Sequence, residues 1–147
     1  MKEGFKEYLV SVGIGEPFTK KIEDVYQFYS QILKIIDEEI GDIFITDYIQ
    51  QDGSRQHENL WFFSKKYFME AKLFMLKDDF DFMPISDGLI YLRIEKQNYD
   101  FKEATSLSRM TVEYQATDLM EGQLKASKEN CDKLRDITIK YFTPRLK

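Results

Sequence analysis

Apolar positions in this chain change their spacing twice. Phe5, Tyr8, Leu9 and Val12 recur every three or four residues, which predicts a short amphipathic helix over residues 2–12. Gly13 and Gly15 end it, and Glu16-Pro17 opens a second helix, because proline suits the first helical turn. The second apolar stripe runs Phe18, Ile22, Val25, Tyr29, Ile32 or Leu33, and Ile36, with Lys20, Lys21, Glu23, Asp24, Gln27 and Lys34 opposite. A helix of this kind is stable only when its apolar side packs on something else.

From residue 43 the spacing shortens. Ile43, Ile45 and Ile49 share a side with Asp47, while Phe44, Thr46 and Tyr48 share the other, so a strand is expected over residues 43–50. Residues 51–54, Gln-Asp-Gly-Ser, read as a hairpin turn, since Asp-Gly readily takes positive φ. Residues 57–75 then form the expected centre of the sheet. Leu60, Trp61, Phe62 and Phe63 are apolar at consecutive positions, which predicts a strand covered on both faces. After a tight turn at Ser64, Lys65 and Lys66, the residues Tyr67, Met69, Ala71, Leu73 and Met75 alternate with Phe68, Glu70, Lys72 and Phe74. The first set is expected to face a core and the second to face outward.

Further strands follow at short intervals. Lys77, Asp78 and Asp79 make a turn, and residues 80–85 a short strand whose Pro84 marks an edge or an end. Ser86, Asp87 and Gly88 make another turn before Ile90, Leu92 and Ile94 alternate with Tyr91, Arg93 and Glu95. A polar stretch over residues 96–105 leads to a strand with Met110, Val112, Tyr114 and Ala116 inward, and residues 123–126 suggest a last short strand. Ser127 then serves as a helix N-cap with Glu129 in the first turn. Cys131, Leu134, Ile137 or Thr138, and Tyr141 form the closing helix's stripe until Thr143-Pro144 stops it.

The predicted class is α+β: two N-terminal helices, an antiparallel sheet of six or seven strands, and a C-terminal capping helix. No internal repeat or Gly/Ser linker divides the chain, so a single domain over residues 1–147 is expected, with helices in 1–40 packed on a sheet from 41–126 and the closing helix in 127–147. From Gly41 onward this element order resembles pleckstrin-homology-like domains, in which a strongly bent seven-strand sheet or barrel is capped by a C-terminal amphipathic helix. The resemblance covers about two thirds of the chain and rests on element order. The chain departs from that family after the first strand. Residues 50–58 offer only Arg55 and His57, in place of the basic cluster of phosphoinositide-binding members, and the one tryptophan, Trp61, is outside the closing helix. What the resemblance implies is a binding scaffold.

Composition narrows the functional classes. Of the residues, 43% are hydrophobic and 32% charged, with 3 Pro and 7 Gly, which is the composition of a globular chain long enough for a real core. The 12 Phe and 9 Tyr suit a sheet-containing core. One cysteine, Cys131, excludes an internal disulfide and a thiolate metal cluster within one chain. No apolar run approaches the roughly 20 residues of a membrane span. The N-terminus, with Glu3, Glu7 and Glu16 and no long apolar run, makes a poor signal peptide, so a cytoplasmic setting is expected. The net charge of −5 is uneven: residues 123–147 hold seven basic and three acidic side chains, a net of +4, which leaves −9 for the rest. An acidic body disfavours nucleic acid and leaves Lys128, Lys133, Arg135 and Lys140 as local contacts for a polyanion or membrane surface. The alternative use of those lysines is solvation of a helix whose dipole they suit.

Candidate chemistry is sparse. Glu70-Ala71-Lys72, with Asp42 or Asp47 on an earlier strand, is similar to the Glu-x-Lys signature of restriction-endonuclease-like nucleases, where carboxylates hold magnesium and the lysine helps position the attacking water and stabilise the transition state. Charge alternation on the wet side of a strand explains the same residues, and that family places a helix after the strand, where turn residues stand here. Asp78, Asp79, Asp81 and Asp87 cluster around turns without calcium-loop spacing. His57 is the only histidine, Cys131 lies on an apolar stripe that favours an inert thiol, and Gly13-Ile14-Gly15 lacks the strand that precedes a phosphate loop. Trp61, Phe62 and Phe63 could stack nucleic-acid bases, but core packing suits them better in an acidic chain.

The expectation is therefore a non-enzymatic domain that binds a protein or peptide, with self-association as one form of this. It needs no cofactor, and it docks its partner at a strand edge or in a groove between sheet and closing helix. The rival is a metal-dependent nuclease-like enzyme using Asp47, Glu70 and Lys72.

Overall fold

The computed structural model describes residues 1–85, 88–100, 106–116 and 121–146. Its elements are α1 (Glu3–Ser11), α2 (Phe18–Ile35), β1 (Asp42–Ile49), β2 (Arg55–Phe63), β3 (Tyr67–Ala71), β4 (Phe80–Pro84), β5 (Leu89–Asp100), β6 (Ser106–Ala116), β7 (Glu121–Ser127) and α3 (Asn130–Ile137). A π-helical turn (Thr138–Phe142) and a 3-10 turn (Thr143–Arg145) follow α3. The α+β class and the antiparallel pairing are as the sequence predicts. The expected continuous sheet is replaced by two, of four strands in the order β1-β2-β3-β4 and of three in the order β5-β6-β7.

The chain divides into two compact units, Met1–Ile45 with Glu58–Pro84, and Thr46–His57 with Ile85–Lys147. In the first, Ile22, Val25, Tyr29 and Leu33 of α2 are buried together with Phe5, Leu9, Ile43, Ile45, Leu60, Phe62 and Met69. The Tyr29 hydroxyl lies 3.1 Å from the carbonyl oxygens of Glu70 and Asp81, tying α2 to β3 and β4. Strands β2 and β3 pair from Leu60 with Ala71 to Phe63 with Phe68, around the turn at residues 64–66 that the sequence predicts. Leu60 to Phe63 are completely buried, as a strand covered on both faces requires.

Strand β3 is shorter than its alternation predicts. It stops at Ala71 because Leu73 takes a left-handed φ of 49°, while its N–H donates to Asn59 Oδ1 at 3.0 Å and the Lys72 N–H donates to the Asp79 carbonyl at 3.1 Å. Leu73 and Met75 thus leave the strand, and Phe74, expected outward, is buried. Phe68 and Glu70, also expected outward, are buried too. Pro84 ends β4 at the edge of its sheet, where its missing N–H costs no ladder bond. Gly53, at φ 87°, supplies the positive φ of the turn between β1 and β2. The turn expected at Ser86 and Asp87 lies outside the described residues.

In the second unit, Met110, Val112, Tyr114 and Ala116 of β6 are buried as predicted, with Leu124 and Ala126 of β7. Helix α3 packs on β6 and β7 through Cys131, Leu134 and Ile137, and the Phe142 ring sits 5.1 Å from that of Tyr114. Gly122 stands opposite Tyr114, where a Cβ would come within 2.6 Å of the ring, so only glycine lets the tyrosine lie across β7. Strand β5 runs on to Asp100, into the stretch expected to be a polar connection; residues 101–105 of that stretch lie outside the described residues. Its start carries a bulge between Leu89 and Tyr91, which turns Ile90 to solvent.

The closing helix also departs from expectation. It begins at Asn130, not at Ser127, which ends β7, and no side chain caps it. After Ile137 the backbone opens into the π-helical turn, with the Thr138 hydroxyl donating to the Leu134 carbonyl at 2.7 Å. Among the described residues no helix is long and apolar enough to cross a membrane.

Candidate functional site

The Asp47 side chain accepts four hydrogen bonds within the second unit. Its side of β1 is otherwise apolar (Ile45, Ile49), so the chain must take the carboxylate inside, and it is 1% exposed. A buried carboxylate persists only when its lone pairs are satisfied. Oδ1 accepts from the Ser127 N–H at 3.1 Å and from Asn130 Nδ2 at 2.7 Å. Oδ2 accepts from Arg55 Nε at 2.8 Å and from the Ser127 hydroxyl. Arg55 reaches on to Glu129 at 2.5 Å and to the Ser127 carbonyl at 3.4 Å. Burial opposes the guanidinium charge, but the bonds to Asp47 and Glu129 outweigh it and hold the Arg55 pKa above its ordinary value. This network fixes the end of the β1–β2 hairpin against the junction of β7 and α3. It explains why Ser127, a plausible cap in sequence, is occupied elsewhere.

Two cavities lie on opposite faces of the β5-β6-β7 sheet. The apolar face borders a groove of about 260 Å³ lined by Ile94, Lys96, Met110, Cys131, Asp132, Arg135, Thr138, Ile139 and Thr143. It opens because α3 packs on β6 and β7, leaving β5 as the outer lip. Ile94 on that lip is 49% exposed and Ile139 on the π-helical turn 59% exposed, two branched apolar side chains at one groove. Beyond the bridge from Leu89 to Leu146, no strand pairs with the outer edge of β5 among the described residues. Cys131 lies in the groove wall with its Sγ 3.6 Å from the Ala126 carbonyl; burial pushes its pKa up to about 11, so the thiol stays neutral and unreactive. On the polar face, a cavity of about 320 Å³ is lined by Asp47, Tyr48 and Ile49 of β1, with Glu95, Gln97, Arg109, Thr111 and Lys125 of the sheet.

The residues of the nuclease-like reading fall in different units. Asp47 belongs to the second unit, and Glu70 and Lys72 to the first. Glu70 is 7% exposed rather than wetted, and burial, reinforced by Asp81, Glu58 and Asp79 and partly offset by Lys72, pushes its pKa up to about 7. Lys72 lies past the end of β3, where its amine sits 3.2 Å from Asp81; that bond raises its pKa. Among the described residues no group of three His, Cys, Asp or Glu side chains could hold a metal ion. The turn aspartates are matched by lysines, Asp78 by Lys21 and Asp79 by Lys77 at 3.3 Å, while Asp87 lies outside the described residues. His57 is a half-buried residue of β2.

The four expected polyanion contacts are disposed differently, with Lys133 half-buried on α3. Arg135 lies 3.7 Å from Asp132 and 3.6 Å from Asp136, so its charge is shared on its own helix. Lys140 stands 5.3 Å from the Tyr141 ring, and the Lys128 backbone N–H donates to the Ser108 carbonyl. Sequence reasoning missed Ile94, Lys96 and Ile139 as groove residues and Tyr48, Arg109 and Lys125 as cavity residues. Ile139 carried a usable signal: it is an isoleucine off the closing helix's apolar stripe. Comparison with protein-family models, with curated proteins and with solved structures finds no match to this chain.

Proposed function

We propose that this chain is a non-enzymatic, pleckstrin-homology-like scaffold that binds an extended peptide segment of another protein along β5. The segment sets a branched apolar side chain into the groove between β5 and α3. The groove itself is the observation that carries this reading. Its lips are exposed isoleucines, its wall is apolar, and the strand beside it presents an edge to which a peptide can add by main-chain hydrogen bonds. A π-helical turn forms part of the lip, and such turns recur at functional sites. Seven antiparallel strands followed by a helix is the element order on which the pleckstrin-homology likeness rests. The partner is acidic around its apolar anchor: Lys96 flanks the groove, and residues 123–147 carry a net charge of +4 within a chain that is otherwise acidic. A reducing, cytoplasmic setting suits the lone thiol in the wall.

Selection from a random peptide library on the intact chain tests the proposal. The expected peptides share a branched apolar residue with acidic neighbours, and they fail on an Ile94→Lys, Ile139→Lys double variant that keeps the wild-type melting temperature. Peptides that bind wild type and variant alike would overturn it. So would sedimentation showing that the groove is closed by a second copy of the chain.

A further inference from the structure

Side chains of β5 alternate between the two faces of its sheet. Ile94 and Lys96 pair with Val112 and Met110 of β6, and they share the groove side with those two buried residues. Tyr91, Arg93, Glu95 and Gln97 stand on the opposite, polar side. The regular ladder with β6 begins at Tyr91, after the bulge, and Leu146 already bridges the strand at Leu89. A segment added to the outer edge therefore pairs between Tyr91 and Gln97, and its own side chains alternate in step with those of β5.

Charge is distributed unevenly along this edge. On the polar side Arg93 lies 2.8 Å from Glu95 and 3.7 Å from Glu113, so neither sign is favoured there. Across the groove Asp132 and Arg135 are 3.7 Å apart and offset each other. Lys96 is exposed at the groove, and no carboxylate among the described residues forms an ion pair with it. The charged lining (Lys96, Asp132, Arg135) thus carries one net positive charge, centred two residues from Ile94 on the same side of β5.

Building on the peptide-binding reading of the groove, we infer that the docked segment runs antiparallel to β5 and carries an acidic residue two positions before its branched apolar residue. The motif is Asp or Glu, then an uncharged residue, then Val or Ile. The apolar side chain stands opposite Ile94 and the acid opposite Lys96, where directly opposed Cβ atoms are about 4.5–5.5 Å apart, within reach of an ion pair. The middle residue turns to the polar side, beside the matched Arg93 and Glu95. Antiparallel addition continues the pairing of β5, β6 and β7 and is the more stable kind per residue. With the order reversed, an antiparallel segment sets its acid opposite half-buried Leu92, where the carboxylate loses water and gains no cation.

The test is an NMR titration of the full chain with capped synthetic peptides of one composition. One is Ser-Thr-Asp-Thr-Val-Thr-Ser, a second has Asp and Val exchanged, and two more carry Asn or Lys in place of Asp in the first. The Asp-first peptide should bind tightest, and its Asn version about two- to fivefold more weakly at low salt. That difference should vanish in Lys96→Gln, and Lys96→Glu should prefer the Lys peptide to the Asp one; an unchanged spectrum away from the groove verifies that both variants fold. An exchanged or Asn peptide that binds as tightly as the Asp-first one overturns the motif and leaves docking at the groove standing. Binding by none of the peptides, or binding that survives the Ile94→Lys, Ile139→Lys double variant, overturns the docking and the motif with it.

Discussion

Replacing Glu70 with glutamine isolates the effect of a buried carboxyl on stability. The folded chain holds this group with a pKa near 7 against an ordinary 4.5, chiefly because burial penalises its charge. Below pH 4.5 the carboxyl is protonated in folded and unfolded chains alike, and its contribution is intact. As the pH rises the unfolded chain ionises first, so stability falls until the folded carboxyl also ionises near pH 7. Above that the full loss stands. At 1.36 kcal/mol for each pKa unit, it amounts to ~3 kcal/mol at most. Glutamine has nearly the same shape and no proton to lose, so Glu70→Gln should match wild type near pH 4.5 and exceed it by up to ~3 kcal/mol at pH 8 to 9. Melting curves across that range would show the two proteins diverging with rising pH, by about 2–4 °C per kcal/mol at this chain length. A gap that stays constant with pH, or a variant weaker than wild type in alkali, would refute the buried-carboxyl reasoning.

Other perturbations test separate parts of the structure. Asp47→Ala leaves Arg55, Ser127 and Asn130 facing an emptied acceptor and should cost ~3–5 kcal/mol, read from the urea midpoint. Gly122→Ala drives a methyl into the Tyr114 ring and should lose ~1–3 kcal/mol together with near-ultraviolet dichroism from the tyrosines. Cys131 should react with a thiol reagent in the native chain far more slowly than in urea, and rapid native labelling would contradict its burial.

The parts of the fold that could be read in advance were set by local chemistry. The middle of the α2 stripe (Ile22, Val25, Tyr29 and Leu33), the Asp-Gly turn, the run Leu60 to Phe63 and the inward set on β6 are dictated by spacing or by positive φ and appear as expected, while Phe18 and Ile36 at the ends of that stripe are exposed. Failures occur where tertiary contacts compete with pattern. Alternation carried β3 to Met75, but hydrogen bonds from Leu73 to Asn59 and from Lys72 to Asp79 stop it at Ala71. Glu70 and Asp47 read as wetted because a charge on a strand usually faces water, yet both are inside, one with a raised pKa and the other held by four hydrogen bonds. Ser127 read as a helix cap because nothing local reveals that a carboxylate eighty residues earlier uses its hydroxyl. The groove was legible only as a general position between sheet and closing helix. Its residues depend on α3 lying over β6 and β7, and on a π-helical turn that no local spacing marks.

Isotope-filtered nuclear Overhauser spectroscopy on the chain bound to a library-selected peptide tests the docking surface most directly. Contacts from the peptide's apolar side chain to Ile94, Met110 and Ile139, with backbone contacts along β5, are the predicted result. Contacts confined to other surfaces, or a peptide bound as a helix away from β5, would contradict it.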